Sequence, residues 1–233
     1  MVLEVALAVG ADYIVNVTLN REFRLTGVFA GDLRLAHEAA AGKVKRDVGI
    51  PLSKQYDLVI THAGYVGINH YQAAKAGVVA IPALKPGGRL IMVANNIDEN
   101  PVGSPRYRTI LHLLKLIGPD KFLKLIGSPD WEFVPEQWQV QMWARLFNRI
   151  PMEHFVYYSP QLKKGDYRFV PGIEGNRYLD PRRAYQGELN EVPKVLEAAV
   201  QDALRKIENR EQKRISVAYL ANGPYGIPYS DEH

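Results

Sequence analysis

The sequence predicts an α/β fold: three layers, with a largely parallel sheet covered by helices on both faces and an antiparallel hairpin near the N-terminus. Three observations carry this. Short β-branched or apolar runs alternate with amphipathic stretches, the pattern of strands joined by crossover helices. The central unit, Asp57 to Ala94, reads as strand, loop, helix, turn, strand. Two strand-like runs near the N-terminus are separated by Asn20-Arg21-Glu22, a hairpin turn by its position. No linker interrupts the chain, so residues 1–233 are expected to form a single α/β domain.

Each element follows from its residues. Leu3, Leu7 and Val9 sit near helical spacing, and Gly10 ends that segment. Tyr13 to Leu19 predicts a strand and Arg24 to Ala30 its partner, closed by Gly31. Asp32 caps a helix to about Val48, with Leu35, Ala39, Val44 and Val48 on its buried side, and Pro51 stops it. Asp57-Leu58-Val59-Ile60-Thr61 is a buried-strand run that breaks at Gly64 and Gly67. Asn69 then caps a helix that ends near Ile81, because Pro82 removes an internal hydrogen bond. Pro86-Gly87-Gly88 is a tight turn before the strand Arg89 to Ala94.

The second half is less regular. Asn95, Asn96, Asn100, Pro101, Gly103 and Pro105 mark a long loop, followed by two short helices with glycine caps at Gly118 and Gly127. Pro135 opens a helix from Glu136 to about Arg149, with Trp138, Met142, Leu146 and Phe147 near the helical period. Phe155 to Tyr158 is a short strand, and residues 159–187 are expected to hold no regular structure. A helix with Pro193 in its first turn runs to about Glu208 through Val195, Leu196, Ala199, Ala203 and Ile207. Ile215 to Leu220 is the last strand, with a turn at Asn222-Gly223-Pro224-Tyr225-Gly226.

Composition narrows the function. A 233-residue chain, 47% hydrophobic and 23% charged, is of the soluble globular type and can bury a full core. The net charge of +4 is spread without a basic block, so nucleic acid is not an expected partner. The lack of cysteine removes thiolate nucleophiles, disulfides and Cys-ligated metals, and fits a reducing cytoplasm. No apolar run approaches the ~20 residues of a membrane span, and no targeting segment is evident, so a cytoplasmic protein without membrane contact is expected. The six histidines form no H-x-x-H or H-x-x-x-H pair, so no metal is expected on this chain alone. There is no G-x-G-x-x-G, no P-loop and no G-x-S-x-G elbow.

The candidate site lies at the start of the 69–81 helix. Tyr71, Gln72 and Lys75, spaced three and four apart, can share one side of that helix. They follow the carboxyl end of a strand, where open α/β sheets bind ligands. Gln72 reads either as the capping-box partner of Asn69 or as a ligand contact. A cation in the early turns gains nothing from the helix dipole. Lys75 is therefore either a solvated surface lysine or the partner of a carboxylate or phosphate placed beside exposed N–H groups. His70 reads as a proton shuttle or as a surface residue at the helix start. Asp130, Glu132 and Glu136 flank two tryptophans and hint at a pocket. Trp138 reads as a core residue, and Gln137, Gln139 and Gln141 suggest a face lining a cleft.

These motifs resemble a known family. The matching residues are Gly10-Ala11-Asp12-Tyr13-Ile14-Val15-Asn16-Val17, then Val28-Phe29-Ala30-Gly31-Asp32 and Ala36-His37. The key match is Asn69-x-Tyr71-Gln72-Ala73-x-Lys75-Ala76 with Leu84-Lys85-Pro86-Gly87-Gly88 after it. Together they look like the C-terminal domain of the lactate racemase family, the nickel-pincer-nucleotide enzymes. The likeness covers most of residues 3–150 and, more weakly, the C-terminal strand. It implies racemisation or epimerisation of a 2-hydroxy acid, by hydride transfer from C2 to the pincer cofactor and return to either face. By the same resemblance Gln72 and Lys75 hold the substrate in a cleft between two domains as catalytic residues, Tyr71 lines the site, and Trp138 is a looser carry-over.

The family's N-terminal domain supplies the proton-moving histidines, the nickel ligand and the lysine that tethers the nickel-pincer nucleotide. Nothing in this chain matches those motifs. The resemblance thus implies a substrate-side domain that binds no cofactor alone and is inactive alone. It would need an N-terminal catalytic domain, from the same gene or a separate chain. Two other readings stay open. Tyr56-Asp57-Leu58-Val59-Ile60 with Leu84-Lys85-Pro86-Gly87-Gly88-Arg89-Leu90 also resembles the later half of S-adenosylmethionine-dependent methyltransferases, although residues 14–31 offer only Gly27 and Gly31 for a cofactor loop. A non-enzymatic binding or scaffolding domain is the other.

Overall fold

The computed structural model describes residues 2–20, 22–209 and 214–230, and the chain divides into two compact units, residues 1–50 and 51–233. The division falls inside a three-residue strand, β3 (Gly49–Pro51).

The first unit holds α1 (Val2–Val9), β1 (Ile14–Leu19), β2 (Leu25–Gly31) and α2 (Leu33–Val48). β1 and β2 form the expected antiparallel hairpin, with Val17 opposite Val28 and a bulge between Thr18 and Leu19. The Asn20 side chain accepts from the amides of Glu22 and Arg24, which fixes the turn, while Arg21 lies outside the described residues. Asp32 caps α2 as expected, accepting from the amides of Arg34 and Leu35. The buried stripe of α2 is Leu33, Ala36 and Ala40, not the predicted Leu35, Ala39, Val44 and Val48; Leu35 is 67% exposed. Leucines at 33 and 35 start two competing helical stripes, and the hairpin covers the one that begins at Leu33.

The second unit is a three-layer α/β structure. β4 (Tyr56–His62), β5 (Leu84–Val93), β6 (Phe155–Tyr158), β7 (Ile173–Glu174) and β8 (Val217–Tyr219) form one parallel sheet in the order β7-β6-β5-β4-β8; β9 (Ile227–Tyr229) follows near the end. Side chains alternate across each strand. Val59, Leu90, Met92, Phe155 and Tyr157 pack on one face with α3 (His70–Ala80), α4 (Pro105–Ile117), α5 (Pro119–Ile126) and α6 (Gln137–Arg149). Leu58, Ile91 and Val156 pack on the other with Ala199, Ala203 and Ile207 of α7 (Val192–Glu208). Both faces are buried, which is why the strands read as unbroken apolar runs.

Small residues on the inner side of α3 let α6 come close: a Cβ at Gly77 would lie 3.1 Å from the Trp143 ring. The Pro86-Gly87-Gly88 turn is present with Gly87 at φ 72°, but it sits inside β5 as an excursion. The register passes from Tyr56 opposite Leu84 to Leu58 opposite Arg89. Residues 159–187 are mostly irregular, as expected, apart from short 3-10 turns and β7, an edge strand of the sheet. At the amino edge Asp57 is buried and ties β4 to β8. Its carboxylate accepts from Lys85 Nζ at 2.7 Å and from Ser216 N and Oγ at 2.8 and 2.6 Å. Burial pushes its acidity constant up, but these hydrogen bonds outweigh burial and hold it down at about 2. No helix among the described residues is long and apolar enough to cross a membrane.

Candidate functional site

The carboxyl edge of the sheet is built from the loops after β4, β5 and β8. Asn96, buried just past β5, ties its own loop to the loop after β4 and to β6: its Nδ2 donates to the Gly67 carbonyl at 2.8 Å, and its Oδ1 accepts from Tyr157 Oη at 2.9 Å. The glycine loop after β4 is not an open cradle. A Cβ at Gly64 would meet Tyr225 Oη at 2.5 Å, Tyr65 stacks on the Tyr225 ring, and the Val66 amide donates to the Tyr225 hydroxyl.

Asn69 caps α3, its side chain accepting from the Gln72 amide at 2.8 Å. The His70 amide donates to the Pro101 carbonyl and the Tyr71 amide to that of Val102. The first amides of α3 are therefore spent inside the protein, and the expected exposed N–H groups beside Lys75 are not there. A ligand at this point has to be held by side chains. Gln72 does not complete a capping box: its Oε1 is buried and has no hydrogen-bond partner among the described residues. Such an atom costs about 1–3 kcal/mol of desolvation unless a ligand or water meets it. Lys75 is exposed, with no ion pair or hydrogen bond to a described residue. At 100° per residue, Tyr71, Gln72 and Lys75 share the outward face of α3, with Lys75 between the other two.

Trp138 is not a core residue. It is 45% exposed, stacks on Phe133 at 5.8 Å, and lies near the Tyr71 phenol. The core tryptophan is Trp143, one and a half turns further along α6. Gln137 and Gln139 are buried too, and Gln137 Oε1 accepts from the Trp131 indole and the Val134 amide. Glu136 sits at the start of α6 in the left-handed region, φ 75°, and takes a hydrogen bond from Ser104 Oγ. Burial raises the Tyr71 phenol above its ordinary value, Glu136 adds to this, and Trp138 opposes it. The structure thus brings Trp138 near Tyr71 and adds Glu136 and Ser104, which come from the turn before α6 and the loop before α4. Only Glu136 had a sequence signal, its place beside the tryptophans.

His70 is neither a surface residue nor a proton shuttle. It is fully buried, stacked on Trp143 at 4.5 Å and 14°, with its Nδ1 2.8 Å from Tyr107 Oη. The Tyr107 hydroxyl accepts the Trp143 indole N–H at 2.9 Å and so links it to His70 Nδ1. Nε2 is buried without a hydrogen-bond partner among the described residues. Burial, with Lys115 nearby, pulls the imidazole down to about 3, so it is neutral at physiological pH.

Fold and site define a class: an α/β domain with its candidate ligand face at the carboxyl edge of a parallel sheet. The comparisons agree on its kin. Over 156 residues, 66% of this chain, it is 31% identical to the lactate racemase of Lactiplantibacillus plantarum (strain ATCC BAA-793 / NCIMB 8826 / WCFS1). The lactate racemase apoprotein from Thermoanaerobacterium thermosaccharolyticum shares its fold over 99% of the chain, with a TM-score of 0.64 and 20% identity. No protein-family model matches. This chain carries a lactate racemase-like domain. It spans 35% of the curated relative and 48% of the solved one.

Proposed function

We propose that this domain binds the substrate of a nickel-pincer-dependent 2-hydroxy-acid racemase or epimerase, and that it works only with a second, catalytic domain. One observation carries the reading: on the outward face of α3, Lys75 lies beside Gln72, and among the described residues Lys75 has no ion pair and the buried Gln72 carbonyl oxygen has no hydrogen-bond partner. Lys75 pairs with the substrate carboxylate or with charge developing on its oxygen, and Gln72 hydrogen-bonds the hydroxyl group. Tyr71 and Trp138 line the site as an aromatic wall, and burial raises the Tyr71 phenol further above its ordinary value.

The residues present do not fit the nickel group itself. No cluster of three or more His, Cys, Asp or Glu among the described residues could hold a metal ion, and Tyr225 fills the glycine loop after β4, leaving no cradle there for a nucleotide phosphate. The chain's own contribution is to hold and orient the acid and to offer positive charge. In the assembled two-domain enzyme, Lys75→Ala should lower turnover of a 2-hydroxy acid at least ~100-fold, the scale of losing one electrostatic stabiliser. Unchanged kinetics would refute the assignment.

A further inference from the structure

Phe133 is a large apolar ring held out in water on a fixed turn. It is 64% exposed, yet the turn is tethered on either side of it. The buried Gln137 Oε1 accepts from the Trp131 indole at 2.9 Å and from the Val134 amide at 2.7 Å, and the Gln137 amide donates back to the Val134 carbonyl. The Phe133 ring lies 12° from parallel to that of Trp138, which is exposed as well. A single exposed aromatic is ordinary, but two stacked and immobilised ones offer a flat ligand a surface already ordered for it.

The pair continues the surface that begins on α3. Lys75 and Tyr71 are one helical turn apart, Trp138 lies near Tyr71, and Phe133 stacks on Trp138. The contact of Gly77 with Trp143 shows why: α3 and α6 pack so that Tyr71 and Trp138, each about one and a half turns back, come to the same end. With the carboxylate of an acid on Lys75, a methyl group on that acid would leave the stacked rings in water, and an aryl group in its place would cover them. Glu136 narrows the choice further. Its carboxylate acts on the Tyr71 phenol, so a second carboxylate on the ligand would meet a like charge there. We propose that this site takes 2-hydroxy acids carrying a neutral aryl group on C3, and that Phe133, with Trp138, selects them by stacking on that ring. This rests on the reading of Tyr71, Gln72 and Lys75 as the substrate face, and adds what meets the substrate away from its carboxylate.

The test titrates the full chain, nitrogen-labelled, with phenyllactate, lactate and malate, and reads affinity from the tryptophan indole N–H resonances. Phenyllactate is expected to bind at least ~10-fold more tightly than lactate, the factor given by one further aromatic contact, and to move the Trp138 indole signal most. Phe133→Ala and Phe133→Leu should each bring the two affinities within ~3-fold, because leucine keeps apolar bulk without a flat face. Phe133→Tyr should keep the preference. Malate should bind no better than lactate. Equal affinities for phenyllactate and lactate, a preference indifferent to Phe133→Ala, malate matching phenyllactate, or no binding of any of the three overturns the proposal. Lys75→Ala separates it from the reading beneath it, and should weaken phenyllactate and lactate by one factor. Equal affinities that both fall with Lys75→Ala overturn the aryl selection and leave the substrate face standing. A Phe133-dependent preference that ignores Lys75→Ala sinks the substrate face and leaves the aromatic pair as a ring-binding surface.

Discussion

Lowering the pH should destabilise this protein through one buried imidazole, and His70→Gln should remove that dependence. His70 is fully buried against Trp143, Tyr107 and Tyr157, and its acidity constant is drawn from the ordinary 6.5 to about 3. The sign follows from linkage: the folded value lies below the unfolded one, so the unfolded chain binds a proton that the native state refuses. The full stability is present above pH 6.5 and is lost as pH falls toward 3. Its upper limit is roughly 5 kcal/mol, and the share lost between pH 7 and pH 5 is about 2 kcal/mol. That is a large part of the 5–15 kcal/mol typical of folded domains. Urea unfolding at a series of pH values measures it directly. His70→Gln loses the ring stack and starts less stable at pH 7, but its curve should be flatter by close to one proton between pH 6 and 4. Parallel curves for the two proteins, or an NMR titration placing His70 near its ordinary value, would refute the reasoning.

Other outcomes follow from the same structure. Asp57→Asn should cost about 2 kcal/mol at pH 7, because its acidity constant is depressed from 3.8 to about 2 in the folded state. That difference should be full above pH 4 and fade as pH falls toward 2, which thermal melts of both proteins will show. Tyr107→Phe strands the Trp143 indole N–H and the His70 Nδ1 together, and should cost about 2–3 kcal/mol by chemical denaturation.

The layers of the sheet were legible because their signal is local. Parallel strands buried on both faces make runs such as Leu58-Val59-Ile60, and caps such as Asp32 and Asn69 act within three residues. Facing was harder. Leu33 and Leu35 both begin a plausible stripe on α2, and only the hairpin decides between them. Trp138 and Trp143 lie five apart on α6, and the sequence does not say which one meets Gly77 of α3. His70 looked like a surface residue because histidine is polar. Its burial depends on Tyr107 and Trp143, 37 and 73 residues away in the chain, and no local pattern carries such a partnership. The Tyr71, Gln72 and Lys75 face was visible because one helical turn defines it, whereas the Ser104–Glu136 link joins two loops and was not.

The Asp57–Ser216 tie bridges 159 positions of the chain. β8 flanks β4, yet it is made long after β4, β5 and β6. During synthesis the apolar strand β4 therefore stands as a bare edge, ready to pair with whatever strand arrives first. Closing so long a loop is slow. The interval between emergence of β4 and arrival of β8 is the period in which this chain is most exposed to aggregation, and in which a chaperone would matter most.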